Sequence, residues 1–131
     1  YAQYALELTK SYLKAFEEES SRIFEAEFNN VPTVTACAGI AFLKSSYPFH
    51  YGVKLAEDLC GFSKNEAKKI NNNLVPSCLA FHRILSSFVG DYKDDIITRE
   101  LTASSSGINF CGGPYYISDN IENTTSIDDL S

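Results

Sequence analysis

The 131-residue sequence contains no methionine, no tryptophan and no long apolar run. A membrane-spanning helix needs ~20 consecutive apolar residues, so we expect no such segment. Four prolines and seven glycines are too few for a collagen-like chain or for most linkers. Lysine and arginine total 11 against 17 aspartates and glutamates, which gives a net charge of −6. This deficit of positive charge excludes a basic nucleic-acid-binding surface as the whole function, because phosphate backbones are held by excess lysine and arginine.

The length indicates one domain. A chain of 14.5 kDa exposes roughly 7,000 Å² when folded against about 21,000 Å² unfolded, which is enough burial for a core. The sequence begins without methionine, inside a segment whose pattern is helical. We therefore expect this chain to be part of a longer protein, the alternative being a processed mature chain.

The four cysteines, Cys37, Cys60, Cys78 and Cys111, contain no C-x-x-C pair, and neither histidine lies near two of them in sequence. Zinc sites usually require such paired ligands, so no metal site is predicted. We expect reduced thiols in a cytoplasmic protein, where a buried cysteine acts as a small hydrophobic residue.

Residues 1–84 have the pattern helix, strand, helix, strand. Apolar residues recur at helical spacing over 1–28, and both 34–42 and 77–84 alternate in the manner of strands. Pro48 suits the first turn of the second helix, and Ser45 and Ser46 offer capping hydroxyls. In the first strand both sides are apolar or small, which predicts that this strand is covered on both faces or is central in the sheet. Gly39 within it predicts close approach of another backbone.

Residues 85–131 are predicted as an irregular tail that leads into a truncated helix. A short strand or helical turn is expected near 96–102, a loop at 103–107, a turn at 111–114 and a helix start at 125–130. Two good strands are too few for a stable sheet. The predicted fold is therefore α+β, with helices packed on an incomplete sheet that other strands complete.

Several polar and aromatic groups invite a functional interpretation. Asp91, Asp94 and Asp95 lack regular ligand spacing and are interpreted as a solvated loop. His50 and His82 have no nucleophile placed beside them by a motif, so we interpret them as surface or core histidines. The aromatic residues at 47, 49 and 51 resemble a base-stacking platform, but few basic residues accompany them and core packing is favoured.

Four runs occur in a recognisable order: TACAGIAF at 35–42, YPF at 47–49, LAEDL at 55–59 and AKK at 67–69. Together they resemble the C-terminal half of the palm domain shared by GGDEF-type nucleotide cyclases and the large cyclase/polymerase subunit of type III CRISPR effector complexes. The resemblance covers 1–84 well and 100–131 loosely, where GPYYI at 113–117 and IDDL at 127–130 resemble the segment that leaves the palm.

The resemblance implies a partial ferredoxin-like palm over residues 1–131. In the intact protein such a domain binds a nucleoside triphosphate and a divalent metal, Mg or Mn, held by an aspartate of the first strand and an acidic G-G-D-D or G-G-D-E-F hairpin. Carboxylates are the natural ligands of these hard cations. Neither element is present here, since Gly112-Gly113 is followed by Pro114. No catalytic or metal-binding residue is therefore assigned to this chain, which is expected to be inactive as given.

One site residue carries over from the resemblance. Lys68, in the Ala67-Lys68 position, matches the lysine that contacts triphosphate oxygens in the GGDEF relatives. A compact ammonium suits that contact. The alternative is an ordinary solvated lysine near a helix C-terminus, where cations are favoured by the helix dipole.

The sequence thus leaves two functional hypotheses. The first is part of a nucleotide cyclase or polymerase palm from a CRISPR-associated antiviral defence protein, with nucleoside triphosphate as ligand and nucleic acid reached only indirectly through a complex. The second is a non-catalytic interaction module of a defence or signalling complex, whose open strand edges are covered by other subunits or by a second copy.

Overall fold

Two long helices and one small sheet make up most of the described chain. The structure, a computed structural model, describes residues 2–27, 34–84, 102–103, 108–109, 113–117 and 126. The elements in chain order are α1 (Tyr4–Glu27), β1 (Cys37–Phe42), α2 (Phe49–Ile70), β2 (Cys78–Arg83), β3 (Thr102–Ala103), β4 (Ile108–Asn109) and β5 (Tyr115–Tyr116).

The sheet is mixed, with the strand order β1-β2-β5. β1 and β2 run parallel, from Cys37 opposite Cys78 to Phe42 opposite Arg83, and α2 forms the crossover between them. β5 pairs antiparallel to β2, while β3 and β4 form a separate antiparallel pair. The α+β fold with helices on a partial sheet is therefore as predicted from the sequence.

The third strand of the sheet was not predicted. Residues 113–117 were expected to leave the fold, but β5 places Tyr115 opposite Leu79 and Tyr116 opposite Cys78. The sheet therefore contains a third strand of this chain that the sequence analysis did not identify. A two-residue strand is too short to show an alternating pattern, so the sequence carried no signal for it.

Both faces of the sheet are covered, as the apolar pattern of the strands predicted. On one face Leu79 packs with Leu13 of α1 and Ile117, together with the partly buried Ala38 and Phe81. On the other face Ala80 packs with Leu55 and Leu59 of α2. Successive strand residues thus alternate between the two helices.

Gly39 marks the closest approach of β1 to α2. A Cβ atom at this position would lie 2.5 Å from the backbone nitrogen of Cys60 and 2.9 Å from Leu59 Cβ, and it would collide with the Ala56 carbonyl oxygen. The strand and helix backbones are therefore too close for any side chain here. The predicted reason for this glycine is confirmed.

α1 contacts the rest of the chain through a narrow stripe. Leu13 is 1% exposed, whereas Tyr4, Leu8 and Tyr12 are 60%, 71% and 64% exposed. Near the end of the helix the Ser20 hydroxyl lies 2.6 Å from the Phe16 carbonyl oxygen and 3.2 Å from that of Val34. α1 is thus anchored mainly by one leucine.

The start of α2 differs from the expectation, and most of the predicted tail is not described. Pro48 occupies the N-cap position of α2, and no side chain caps this helix, so the proposed role of Ser45 and Ser46 is wrong. Most of the predicted tail, including 85–101, the loop at 104–107 and the helix at 127–130, lies outside the described residues. Ser126 is described and forms an isolated parallel bridge with Tyr116.

Candidate functional site

The last turns of α2 present lysines to solvent beside the start of β1. Ala67 is fully buried against Cys78 and Tyr116, so the next residue, Lys68, lies on the exposed side. Lys64 is one turn earlier and also exposed, while Lys69 forms an ion pair with Glu66 at 2.5 Å. The predicted pair Ala67-Lys68 therefore consists of one packing residue and one solvent-facing cation.

Three thiols meet next to these lysines. Because Cys37 and Cys78 are register partners, their Sγ atoms lie only 3.6 Å apart. The Cys60 thiol, on α2, donates to the Cys37 carbonyl oxygen at 3.3 Å. The Cys78 thiol has a second acceptor within reach, the Ser63 carbonyl oxygen at 3.4 Å. Neighbouring strands and the crossover helix thus each supply one cysteine.

The thiols differ in acidity because they differ in hydrogen bonding and burial. A hydrogen bond from Cys78, opposed by burial and aided by the charges of Lys64 and Lys68, lowers the pKa of Cys37 from 9.0 to about 7. The same hydrogen bond, together with burial, raises the pKa of Cys78 well above its usual value. Burial also raises the pKa of Cys60. Near neutral pH Cys37 is therefore the thiol that ionises.

Tyr116, from β5, completes this environment on the third strand. Burial, followed by the charges of Cys78, Glu66 and Cys37, raises its pKa to about 12. The phenol therefore stays neutral over the range in which Cys37 ionises. This end of the sheet therefore combines one thiol that ionises near neutral pH with two exposed lysines beside it.

A groove opens at the opposite end of the parallel strands. It has a volume of about 700 Å³ and lies between the start of α1 and the carboxyl ends of β1 and β2, with Phe42, Phe81 and Leu6 among its lining residues. Lys44 and Arg83 line it as well. The first β1 residue that lines it is Ile40, three residues from Cys37, or about 10 Å along an extended strand. Neither Lys68 nor Cys37 is among the residues that line this groove.

The other residues considered from the sequence are scattered. His50 is exposed and its ring centroid lies 4.0 Å from that of Tyr51. Tyr47 packs against the core cluster of Leu55 and Leu59, as expected, but Phe49 is 78% exposed, so core packing was the wrong expectation for it. His82 lies on β2 opposite Ala41. The acidic cluster at 91–95 is outside the described residues.

The thiol cluster is the feature that sequence reasoning missed. Cys37 and Cys78 were both placed on predicted strands, and each is the first residue of its strand in the structure. What the sequence could not supply was the register that sets them side by side. The i, i+4, i+8 spacing of Cys60, Lys64 and Lys68 on one helix was a usable signal, since it places all three on neighbouring turns.

Neither α1 nor α2 is apolar enough over sufficient length to cross a bilayer, in the part of the chain that was described. Within the same residues, no three histidine, cysteine, aspartate or glutamate side chains are grouped so as to hold a metal ion. No family model, no curated protein and no solved structure matches this chain.

Proposed function

We propose that this chain is the C-terminal half of a palm domain related to nucleotide cyclases and polymerases, of the kind found in type III CRISPR effector complexes. The observation that carries the proposal is where the small residues of the four resembling runs lie in the fold. Gly39 faces Ala56 and Cys60 across the β1–α2 contact, and Ala67 is fully buried at the far end of the same helix. These small residues of the runs therefore lie along one packing interface, between α2 and the sheet, which supports the proposal.

The edge of β1 is where this proposal places the rest of the palm. Within the described residues β1 pairs with β2 alone, and its other edge is unpaired. All six residues of β1 are partly buried, which suits a strand inside a wider sheet. A neighbouring strand carrying a carboxylate, with an acidic hairpin beyond it, would hold Mg²⁺ or Mn²⁺ and the triphosphate.

Lys68 is the residue of this chain that would contact the triphosphate. Its ammonium is exposed at the end of α2, and a flexible lysine acts on phosphate oxygens as a point charge. The alternative remains a solvated lysine that interacts favourably with the C-terminal end of the helix dipole. The two interpretations of Lys68 differ in one outcome: removing its charge weakens nucleotide binding only if the lysine contacts the triphosphate.

The test uses the longer protein encoded by the gene. Its upstream sequence should contain an acidic hairpin, and calorimetry should detect ATP binding that depends on Mg²⁺ or Mn²⁺. Lys68→Gln should weaken that binding about tenfold, equivalent to ~1.4 kcal/mol, whereas Lys69→Gln, the neighbour already paired with Glu66, should change it little. A longer protein with no acidic hairpin and no ATP binding would contradict the proposal.

A second candidate is a non-catalytic interaction module of a defence or signalling complex. It is favoured by the exposed Tyr4, Leu8 and Tyr12 on α1 and by the open edge of β1, both of which suit contact with another subunit or a second copy. Light scattering that shows a monomer with a folded near-UV spectrum would count against it.

Both candidates place the protein in the cytoplasm. Cys37, Cys60 and Cys78 are all free thiols, which suits a reducing compartment. Contact with nucleic acid would then be indirect, through the complex, because the net charge of −6 disfavours a phosphate-tracking surface. Fractionation of cells that express the full gene product, followed by detection in the cytoplasmic fraction, tests this placement.

A further inference from the structure

We propose that Cys37 and Cys78 are a peroxide-oxidisable pair that closes to a disulfide across the parallel strands β1 and β2, with Cys37 as the thiol that reacts first. This modification site needs no bound nucleotide. It rests on where the fold places three thiols and two lysines, one of which, Lys68, is also the residue proposed above to contact the triphosphate.

The first argument is the geometry of the strand pair. Cys37 and Cys78 are register partners on parallel strands, and neighbouring strands lie ~4.8 Å apart. That separation falls within the Cα–Cα range that disulfides span, roughly 4.4–6.8 Å. The Sγ atoms are already 3.6 Å apart in the reduced form. Forming the bond therefore requires rotation of two short side chains with little strand movement.

The second argument is the difference between the two thiols. Cys37 is partly exposed on the edge strand, while Cys78 is fully buried on the central strand. The thiolate is the form that attacks an oxidant, and Cys37 is the thiol whose ionisation the neighbours favour. Cys78 keeps its proton and donates it toward Cys37. An accessible thiolate next to a protonated thiol is the arrangement of a reacting and a resolving cysteine.

The third argument is that the surrounding charges also favour the Cys37 thiolate. The titratable groups that face the pair from the packed elements are Cys60, Lys64 and Lys68 of α2 and Tyr116 of β5. The two lysines stabilise the Cys37 thiolate, and Tyr116 stays neutral. Glu66 acts on Tyr116 rather than on Cys37, and it is paired with Lys69. The positive groups therefore determine the local field at Cys37.

The reaction has two steps. The Cys37 thiolate attacks one oxygen of hydrogen peroxide, the O–O bond breaks, and the products are a sulfenic acid on Cys37 and a hydroxide ion that takes a proton to become water. The Cys78 sulfur then attacks the Cys37 sulfur and displaces hydroxide, which accepts the Cys78 proton. Overall two thiols lose two electrons, one peroxide is reduced, and two waters form.

Cys60 is the competing partner, and its contacts argue against it. Its thiol points at the Cys37 carbonyl oxygen rather than at the sulfur. The pKa values of Cys60 and Cys78 are both raised, so acidity does not distinguish the two thiols. The sulfur–sulfur contact does, because Cys78 Sγ lies 3.6 Å from Cys37 Sγ. Cys78 is therefore the resolving thiol that the geometry favours.

The test is peptide mapping by mass spectrometry after brief exposure of the reduced protein to hydrogen peroxide. We expect a Cys37–Cys78 disulfide that dithiothreitol reverses, with Cys60→Ala behaving as the wild type. In Cys78→Ser, dimedone should label Cys37 as the sulfenic acid, several-fold more than Cys60. The wild-type map does not depend on any variant folding. A Cys37–Cys60 bond, a Cys111 disulfide in place of Cys37–Cys78, or oxidation no faster than in the urea-unfolded protein would overturn the proposal.

Discussion

Gly39 and Gly61 are chemically identical residues whose replacement should have opposite effects. At Gly39 an added methyl group meets the Ala56 carbonyl oxygen, Cys60 N and Leu59 Cβ, most of which is backbone that cannot turn aside. We predict that Gly39→Ala lowers the free energy of unfolding by about 3 kcal/mol, the upper part of the range for overpacked sites. Urea denaturation followed by circular dichroism measures this difference.

Gly61 supplies the matched control, since it lies within α2 and a Cβ there meets nothing within 4 Å. Alanine is favoured over glycine in a helix interior by about 1 kcal/mol, so Gly61→Ala should raise the free energy of unfolding by about that amount. Equal effects of the two substitutions would mean that β1 and α2 are not in close contact at Gly39.

The acidity of Cys37 gives a second prediction at the residue scale. Because a hydrogen bond from Cys78 and the charges of Lys64 and Lys68 lower its pKa to about 7, its alkylation by iodoacetamide should be half-maximal near pH 7. Removing both positive charges in Lys64→Gln/Lys68→Gln should move the midpoint upward. Mass spectrometry of the Cys37 peptide over a series of pH values gives the midpoint.

Lys69→Gln is the control for this titration, because Lys69 is on the same helix but is paired with Glu66. Its midpoint should match the wild type. The lysine effect should also shrink in high salt, since exposed charges are screened over about a Debye length. A wild-type midpoint near 9.0, the ordinary thiol value, would contradict the prediction.

At the scale of the elements, Leu13 is the main attachment of α1 to the sheet, with the partly buried Leu6 beside it. Leu13 is 1% exposed and packs with Leu79 and Ile117, so Leu13→Ala leaves a cavity between helix and sheet. We predict that Leu13→Ala lowers the free energy of unfolding by about 3 kcal/mol, as for other buried leucines. Urea unfolding of the whole chain measures it.

Leu8→Ala makes the same chemical change on the same helix at a side chain that is 71% exposed. We expect a change of less than about 0.5 kcal/mol, as for ordinary surface positions. If Leu8→Ala were as costly as Leu13→Ala, the exposed side of α1 would have to be covered in solution, which would favour the interaction-module candidate.

The elements also show what the sequence could and could not predict. Alternation over six residues identified both faces of β1 and β2, because the side-chain period of a strand is local. Periodicity likewise identified α1 and α2 to within a few residues. β5 was missed because its two residues join the sheet through pairing with β2, and pairing between distant segments leaves no local pattern in so short a strand.

At the scale of the whole molecule, the thiol site depends on long-range order. Cys37 and Cys78 are 41 residues apart and meet at 3.6 Å only because α2 returns the chain in parallel register. Lys68 could be identified as a candidate from a short run of residues, since its exposure follows from the helical period. The acidity of Cys37 could not be predicted from the sequence, because it arises from groups on another strand and on the crossover helix.

The same thiol pair should make the stability of the whole fold depend on pH. Cys37 has a folded-state pKa of about 7, below its ordinary 9.0, so between these values the folded chain has lost a proton that the unfolded chain keeps. Stability should therefore rise from pH 7 to 9 and lose this contribution as the pH falls through 7. Urea unfolding with a thiol reductant present, repeated across this range, measures the slope.

Above pH 9 the stability should fall as the pH rises, because the other two thiols of the cluster have raised pKa values. Cys78 and Cys60 have raised pKa values, so they stay protonated in the folded chain while the unfolded chain ionises, and stability falls as the pH rises further. The pair thus predicts a maximum near pH 9. Cys37→Ala should remove the rising part of the curve, whereas Cys60→Ala should keep it, because the low pKa of Cys37 depends first on Cys78. Parallel curves for the wild type and Cys37→Ala would show that the Cys37 thiolate is not stabilised by the folded structure.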